Sequence, residues 1–164
     1  MKPDSTPAKL ALTVGDPCGI GPEITLRALA QLPDSLTSRL VICGPAGHLR
    51  NMASHLRIAL PPLKTDCLDP DRLSLFDTGP DTSFEPGVIC AAGGTAAIQA
   101  IEKAHELCFT GKCRAMITGP IGKGAIRAAG SPYSGHTDML GALCGVPDTK
   151  MAMIYRTFRV VLAT

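Results

Sequence analysis

The sequence predicts a layered α/β/α fold on a mixed, mainly parallel sheet. Short apolar runs alternate with longer stretches of helical periodicity, and turns marked by glycine or proline separate them. At 164 residues the chain is long enough for one domain with its own core. No repeat, low-complexity tract or obvious linker divides it.

Taken in order, residues 9–14 read as a buried strand and 22–32 as a helix. Pro22 and Glu23 suit that helix's first turn, where a missing N–H is harmless and negative charge is favoured. A second strand at 40–43 leads through Gly44-Pro45 into a helix over 46–57. Residues 61–87, rich in Pro and Asp, offer only short strands around Leu63 and Leu73. The strongest helix runs over 93–109, where Ala97, Ile98, Ile101, Ala104, Leu107 and Cys108 form an apolar stripe closed by Gly111. A strand at 114–118, helices at 124–129 and 137–144, and strands at 150–155 and 159–163 complete the reading. The last strand runs to Thr164 with no cap or polar tail, so residues 9–164 are expected to be the first portion of a longer, truncated protein. Residues 1–8 read as a disordered lead without the apolar stretch of a signal peptide.

The net charge of +2 is scattered and aromatic residues make up only 4%, which argues against nucleic acid as a partner. No run of about 18 apolar residues is present to span a membrane. The seven cysteines are odd in number, dispersed, and without CxxC spacing; Cys108 and Cys113 are the closest pair. They read as buried or idle thiols in a reducing, cytoplasmic setting.

Three segments carry candidate chemistry. Gly15 to Glu23 joins a strand to a helix, where layered folds place ligands. It lacks the last glycine of GxGxxG and the Lys-Ser/Thr of a P-loop, so structural turn and site wall both remain open. Thr118-Gly119-Pro120-Ile121-Gly122-Lys123 follows another strand, and Lys123 is either a solvated lysine or a cation for a small anion. Ser134-Gly135-His136-Thr137-Asp138 places an imidazole and a hydroxyl at the opening of a helix, beside free N–H donors and a positive end. His136 is read as hydrogen-bonding an anionic ligand, with Asp16, Lys123 and Asp138 as further walls of that site, while Thr137 on its own reads as a plain N-cap. No catalytic residue is assigned. His48, His55 and His105 are expected at the surface.

These motifs together resemble the 4-hydroxythreonine-4-phosphate dehydrogenase family. Its members carry a similar Gly-Asp/Glu-Pro-Ala-Gly-Ile-Gly-Pro stretch, with Cys18 here in place of Ala, and a Gly-His-Thr-Glu motif whose substrate-binding His-Thr pair corresponds to His136 and Thr137, with Asp138 in place of Glu. They usually have Asn or His where Gly122 precedes Lys123. The resemblance implies an isocitrate/isopropylmalate dehydrogenase-like fold of two lobes, with the site in the cleft and at a homodimer interface. It implies NAD- or NADP-dependent oxidation and decarboxylation of 4-phosphohydroxy-L-threonine in pyridoxal phosphate synthesis. A divalent metal (Zn, Mg, Mn or Co) would be held by three histidines, one from the partner subunit; none is assigned within this chain, and they are expected beyond Thr164. D-Threonate or D-erythronate 4-phosphate is the alternative substrate. A phosphate acyltransferase of related fold, and an inactive chain that only binds a phosphorylated ligand, are the other readings.

Overall fold

The computed structural model describes residues 9–61, 63–80, 82–146 and 148–163. The elements are β1 (Lys9–Thr13), α1 (Gly21–Gln31), α2 (Asp34–Thr37), β2 (Leu40–Gly44), α3 (Ala46–His55), β3 (Leu63–Thr65) and β4 (Leu73–Asp77). They continue with α4 (Ala91–Phe109), β5 (Cys113–Thr118), α5 (Lys123–Ala128), α6 (His136–Leu143), β6 (Ala152–Tyr155) and β7 (Phe158–Val161). The expected lead at 1–8 lies outside the described residues.

Five strands form one sheet in the order β3-β4-β2-β1-β5, and every pairing in it is parallel. The antiparallel component expected of a mixed sheet is instead a separate hairpin of β6 and β7. On one face, Leu26 and Leu29 of α1 and Leu49 and Ala53 of α3 pack with Leu40, Ile42, Leu73 and Leu75. On the other, Ala100, Ala104 and Leu107 of α4 pack with Ala11, Val41, Cys43 and Cys113. The three-layer α/β/α architecture is therefore present. β2 is buried at every position, as expected of a parallel strand covered on both faces.

Side chains supply caps that local sequence does not. Pro45 precedes α3 with no capping group, and Asp77 at the end of β4 accepts from the Ala46 N–H at 3.0 Å. At the opposite edge Lys9 is almost fully buried, its ammonium donating to the Ser38 carbonyl at 2.5 Å and the Arg72 carbonyl at 2.8 Å. Burial pushes its pKa down, partly opposed by Asp69 and Asp71.

The sheet reverses its direction of growth at β1, with β2 on one side and β5 on the other. The carboxyl ends of β1 and β5 thus form the crevice where open α/β sheets bind ligands. Backbone contact joins their loops: the Asp16 N–H donates to the Pro120 carbonyl at 2.9 Å, and the Gly119 N–H to the Thr13 carbonyl at 2.8 Å. Close approach demands glycine. A Cβ on Gly21 would lie 2.0 Å from the Val14 oxygen, and one on Gly119 2.4 Å from the same atom. Gly15 adds a positive φ of 82°, and its Cβ would lie 2.2 Å from the Pro120 oxygen.

Gly15→Ala is expected to lower stability by roughly 3 kcal/mol or more, because strain and backbone overlap act together. Gly87 has φ +83° but nothing within 4 Å of its Cβ position. Gly87→Ala should therefore lose only about 1 kcal/mol. Urea unfolding of both variants checks this, and equal losses would show that the loops are not locked by close approach.

Candidate functional site

A pocket of about 390 Å³ opens beside the β5 loop, lined by Pro120, Ile121, Lys123, Ser134, Gly135, His136, Thr137, Asp138 and Met151. The fold therefore gathers the lysine turn and the Gly-His-Thr-Asp turn at one place.

His136 is the first residue of α6, one position earlier than the sequence reading started this helix. Its Nε2 is shielded from solvent and has no hydrogen-bond partner among the described residues. Burial lowers its pKa, so the ring is neutral at pH 7. A shielded ring nitrogen without a partner is unfavourable unless a ligand or water supplies one. Neutral imidazole can donate or accept there.

Thr137 lines the pocket as a residue inside the helix rather than as its cap, and its carbonyl accepts from Thr149 Oγ1 at 3.0 Å. Gly135 is the capping residue and has no side chain to offer, so Asp138 supplies the reciprocal half of a capping box. Asp138 Oδ2 accepts from the Ser134 N–H at 2.5 Å, and Oδ1 from Gly135 at 3.0 Å. Desolvation works to raise its pKa, but these backbone donors outweigh it and hold the carboxyl below its ordinary value. Although Asp138 lines the pocket, its oxygens are committed to shaping the turn that presents His136.

Lys123 is exposed and opens α5 immediately after Gly122. Asp16 is only 7% exposed and lies beneath the loops, outside the pocket lining. Its Oδ1 accepts from the Cys18 N–H at 2.9 Å, while its Oδ2 would be 2.6 Å from a Cβ on Gly122. Gly122 thus leaves room for the Asp16 carboxylate. Glu23, which would repel an anion at the start of α1, is paired with Arg27 at 2.7 Å.

Ser134 and Met151 also line the pocket. Ser134 belongs to the motif but was assigned no role, and nothing in the sequence signals that Met151 returns to this place. The expectation of surface positions needs correction for two histidines. His48 is half-buried edge-on to Phe84, with ring centroids 5.2 Å apart, and burial lowers its pKa. His105 is half-buried and stacks on Phe109 at 5.6 Å. Helical periodicity alone had not revealed these aromatic neighbours. His55 is exposed, as expected. Among the described residues, no group of three or more His, Cys, Asp or Glu side chains is placed to hold a metal ion. Gly21, the third glycine of the first loop, packs against Val14, where a Cβ would lie 2.0 Å from the carbonyl oxygen.

The model of the family described as "Pyridoxal phosphate biosynthetic protein PdxA" matches residues 36–164. A 4-hydroxythreonine-4-phosphate dehydrogenase from Synechococcus sp. (strain RCC307) is 36% identical over 162 residues, covering 95% of this chain and 48% of the relative. A Cutibacterium acnes relative, provisionally named a D-threonate 4-phosphate dehydrogenase, is 33% identical over 94% of this chain and 47% of its own. The crystal structure of a 4-hydroxythreonine-4-phosphate dehydrogenase from Klebsiella pneumoniae matches with a TM-score of 0.82 at 29% identity, over 94% of this chain and 50% of that one. The chain spans about half the length of the curated relatives it matches.

Because burial depresses the His136 pKa, the unfolded chain takes up the proton first as pH falls. This group's contribution to stability is therefore complete above the ordinary imidazole pKa and is lost as pH falls through the lower folded value. NMR titration of the His136 ring should give a midpoint below about 6.5. A midpoint at or above that value would contradict the desolvated placement.

Proposed function

Since this chain belongs to the family described as "Pyridoxal phosphate biosynthetic protein PdxA", we propose that it supplies the substrate-gripping wall of a dehydrogenase acting on 4-phosphohydroxy-L-threonine. The observation that carries the reading is that His136, whose shielded Nε2 lacks a partner, lines a pocket with Lys123 and Thr137; Nε2 of His48 and of His105 is likewise shielded and unpartnered but lies outside that pocket. The Lys123 ammonium attracts the phosphate or carboxylate of the substrate. His136 Nε2 and the Thr137 hydroxyl hydrogen-bond its polar oxygens and fix the orientation of the carbon to be oxidised. A neutral ring accepts or donates a hydrogen bond at such an oxygen without placing a second positive charge beside Lys123.

Nicotinamide would take the hydride, and a divalent metal would polarise the reacting oxygen, in the complete protein. Among the described residues, no group of three or more His, Cys, Asp or Glu side chains is placed to hold the metal. In this reading, the pocket residues of this chain bind and orient the substrate. A homodimer is proposed for the complete protein, supported by the β6–β7 hairpin, which exposes Ile154, Tyr155 and Phe158 by 68%, 70% and 67%. No helix among the described residues is long and apolar enough to cross a membrane; a cytoplasmic location is part of the proposal.

Family membership favours a dehydrogenase over the acyltransferase that the layered sheet alone left open. D-Threonate or D-erythronate 4-phosphate is a second reading, supported by the Cutibacterium acnes relative. Parallel assays with the three acids separate these substrates.

In the complete protein, His136→Ala is expected to lower kcat/KM for NADH formation from 4-phosphohydroxy-L-threonine by roughly 100-fold, against less than about threefold for His105→Ala. Equal losses would reduce His136 to scaffold. Lys123→Ala should act mainly through KM, raising it about tenfold, equivalent to about 1.4 kcal/mol of binding. An unchanged KM would return Lys123 to the status of a solvated lysine.

A further inference from the structure

Behind the pocket, two thiols from distant parts of the chain face one another. Cys18 Sγ, in the loop after β1, lies 3.6 Å from Cys90 Sγ, just before α4. Cys18 is 4% exposed, whereas Cys90 is only partly buried. Cys90 caps the 19-residue α4, and the Gly93 N–H donates to its sulphur at 3.3 Å. A Cβ on Gly93 would stand 2.9 Å from Asp16 Oδ1, 3.2 Å from Cys18 Sγ and 3.5 Å from Cys90 Sγ, so glycine leaves the space between helix and loop to the Asp16 carboxylate and the two sulphurs.

We propose that Cys18 and Cys90 form an oxidation site that a peroxide converts to an intramolecular disulfide. Cys90 is the more exposed of the two residues, and the Gly93 donor stabilises negative charge developing on its sulphur during attack. Its sulphur bonds to one peroxide oxygen as the O–O bond breaks; the other oxygen leaves as water, leaving a sulfenic acid. Cys18 Sγ then attacks the oxidised sulphur and displaces hydroxide, which departs as water with the Cys18 proton. Two thiols and one hydrogen peroxide give one disulfide and two waters.

Burial, with a smaller effect from the bond to Cys90, pushes the Cys18 thiol up to about 12, which disfavours it as the first attacker and slows the resolving step. Closing the bond requires the sulphurs to approach to about 2.05 Å. Cys18 is in a loop and Cys90 at a helix boundary, positions able to adjust without breaking a strand. Cys18 also donates its N–H to Asp16, which underlies Gly122. Neither thiol lines the pocket, so the bridge itself makes no contact with the ligand that pocket takes.

The test uses the 164-residue chain with its exposed Cys67 and Cys144 replaced by serine, treated with hydrogen peroxide and digested with trypsin without reductant. Peptides 10–27 and 73–103 should appear joined, in a monomeric product that dithiothreitol reverses. Cys18→Ala should let Cys90 accumulate as a sulfenic acid trapped by dimedone. Cys90→Ser, which keeps a capping oxygen, should slow oxidation at Cys18 by about tenfold. Failure of the two peptides to join while other cysteines oxidise, or joining that proceeds only between Cys43, Cys108 and Cys113, would overturn the proposal.

Discussion

The candidate site depends on how closely the backbone at the end of β1 approaches the backbone at the end of β5. With side chains at Gly15 or Gly119, the loops after these strands could not touch as they do, because each Cβ would come within 2.4 Å of a carbonyl oxygen of the other loop; a Cβ on Gly21 would instead strike the Val14 oxygen within the β1 loop itself. The reward for this approach is a pair of cross-loop hydrogen bonds, Asp16 to Pro120 and Gly119 to Thr13. Once the two loops are joined, the start of α5 and the turn before α6 fall around one pocket. Glycine thus contributes to function by setting separation, rather than by touching a ligand.

Electrostatics around the pocket follow from that placement. Two carboxylates near it are engaged in supporting it: Asp16 beneath the loops and Asp138 across the turn before α6. Engagement of Asp138 with backbone donors leaves the exposed Lys123 and the neutral His136 to meet an anionic ligand. The contrast between these side chains is informative. Carboxylates that look like wall residues in a motif act mainly on the main chain, whereas the imidazole has a nitrogen still lacking a partner.

Much of the fold was legible because buried strands and amphipathic helices leave different periods. The stripe on α4 and the fully apolar β2 are clear examples. The four-residue α2 was missed because so short a segment has no period to detect, and α4 begins two residues early because Cys90 caps it through sulphur, an unusual acceptor. The His136 and Thr137 turn could be read from a glycine followed by polar helix-opening residues, and the resemblance sharpened it. Met151 in the pocket, the aromatic partners of His48 and His105, and the contact between Cys18 and Cys90 could not be read, because each depends on residues brought together from separate elements. Spacing along the chain picked out Cys108 and Cys113 as the nearest thiols; folding brings together two that are 72 residues apart.

The central claim is that the joined β1 and β5 loops present an imidazole nitrogen in need of a partner to a phosphorylated hydroxy acid. A crystal structure of the complete protein with 4-phosphohydroxy-L-threonine tests it most directly. The account predicts a substrate oxygen within hydrogen-bond distance of His136 Nε2 and an anionic group of the same molecule facing Lys123 Nζ. Substrate bound away from this pocket, with Nε2 still unpaired, would contradict it.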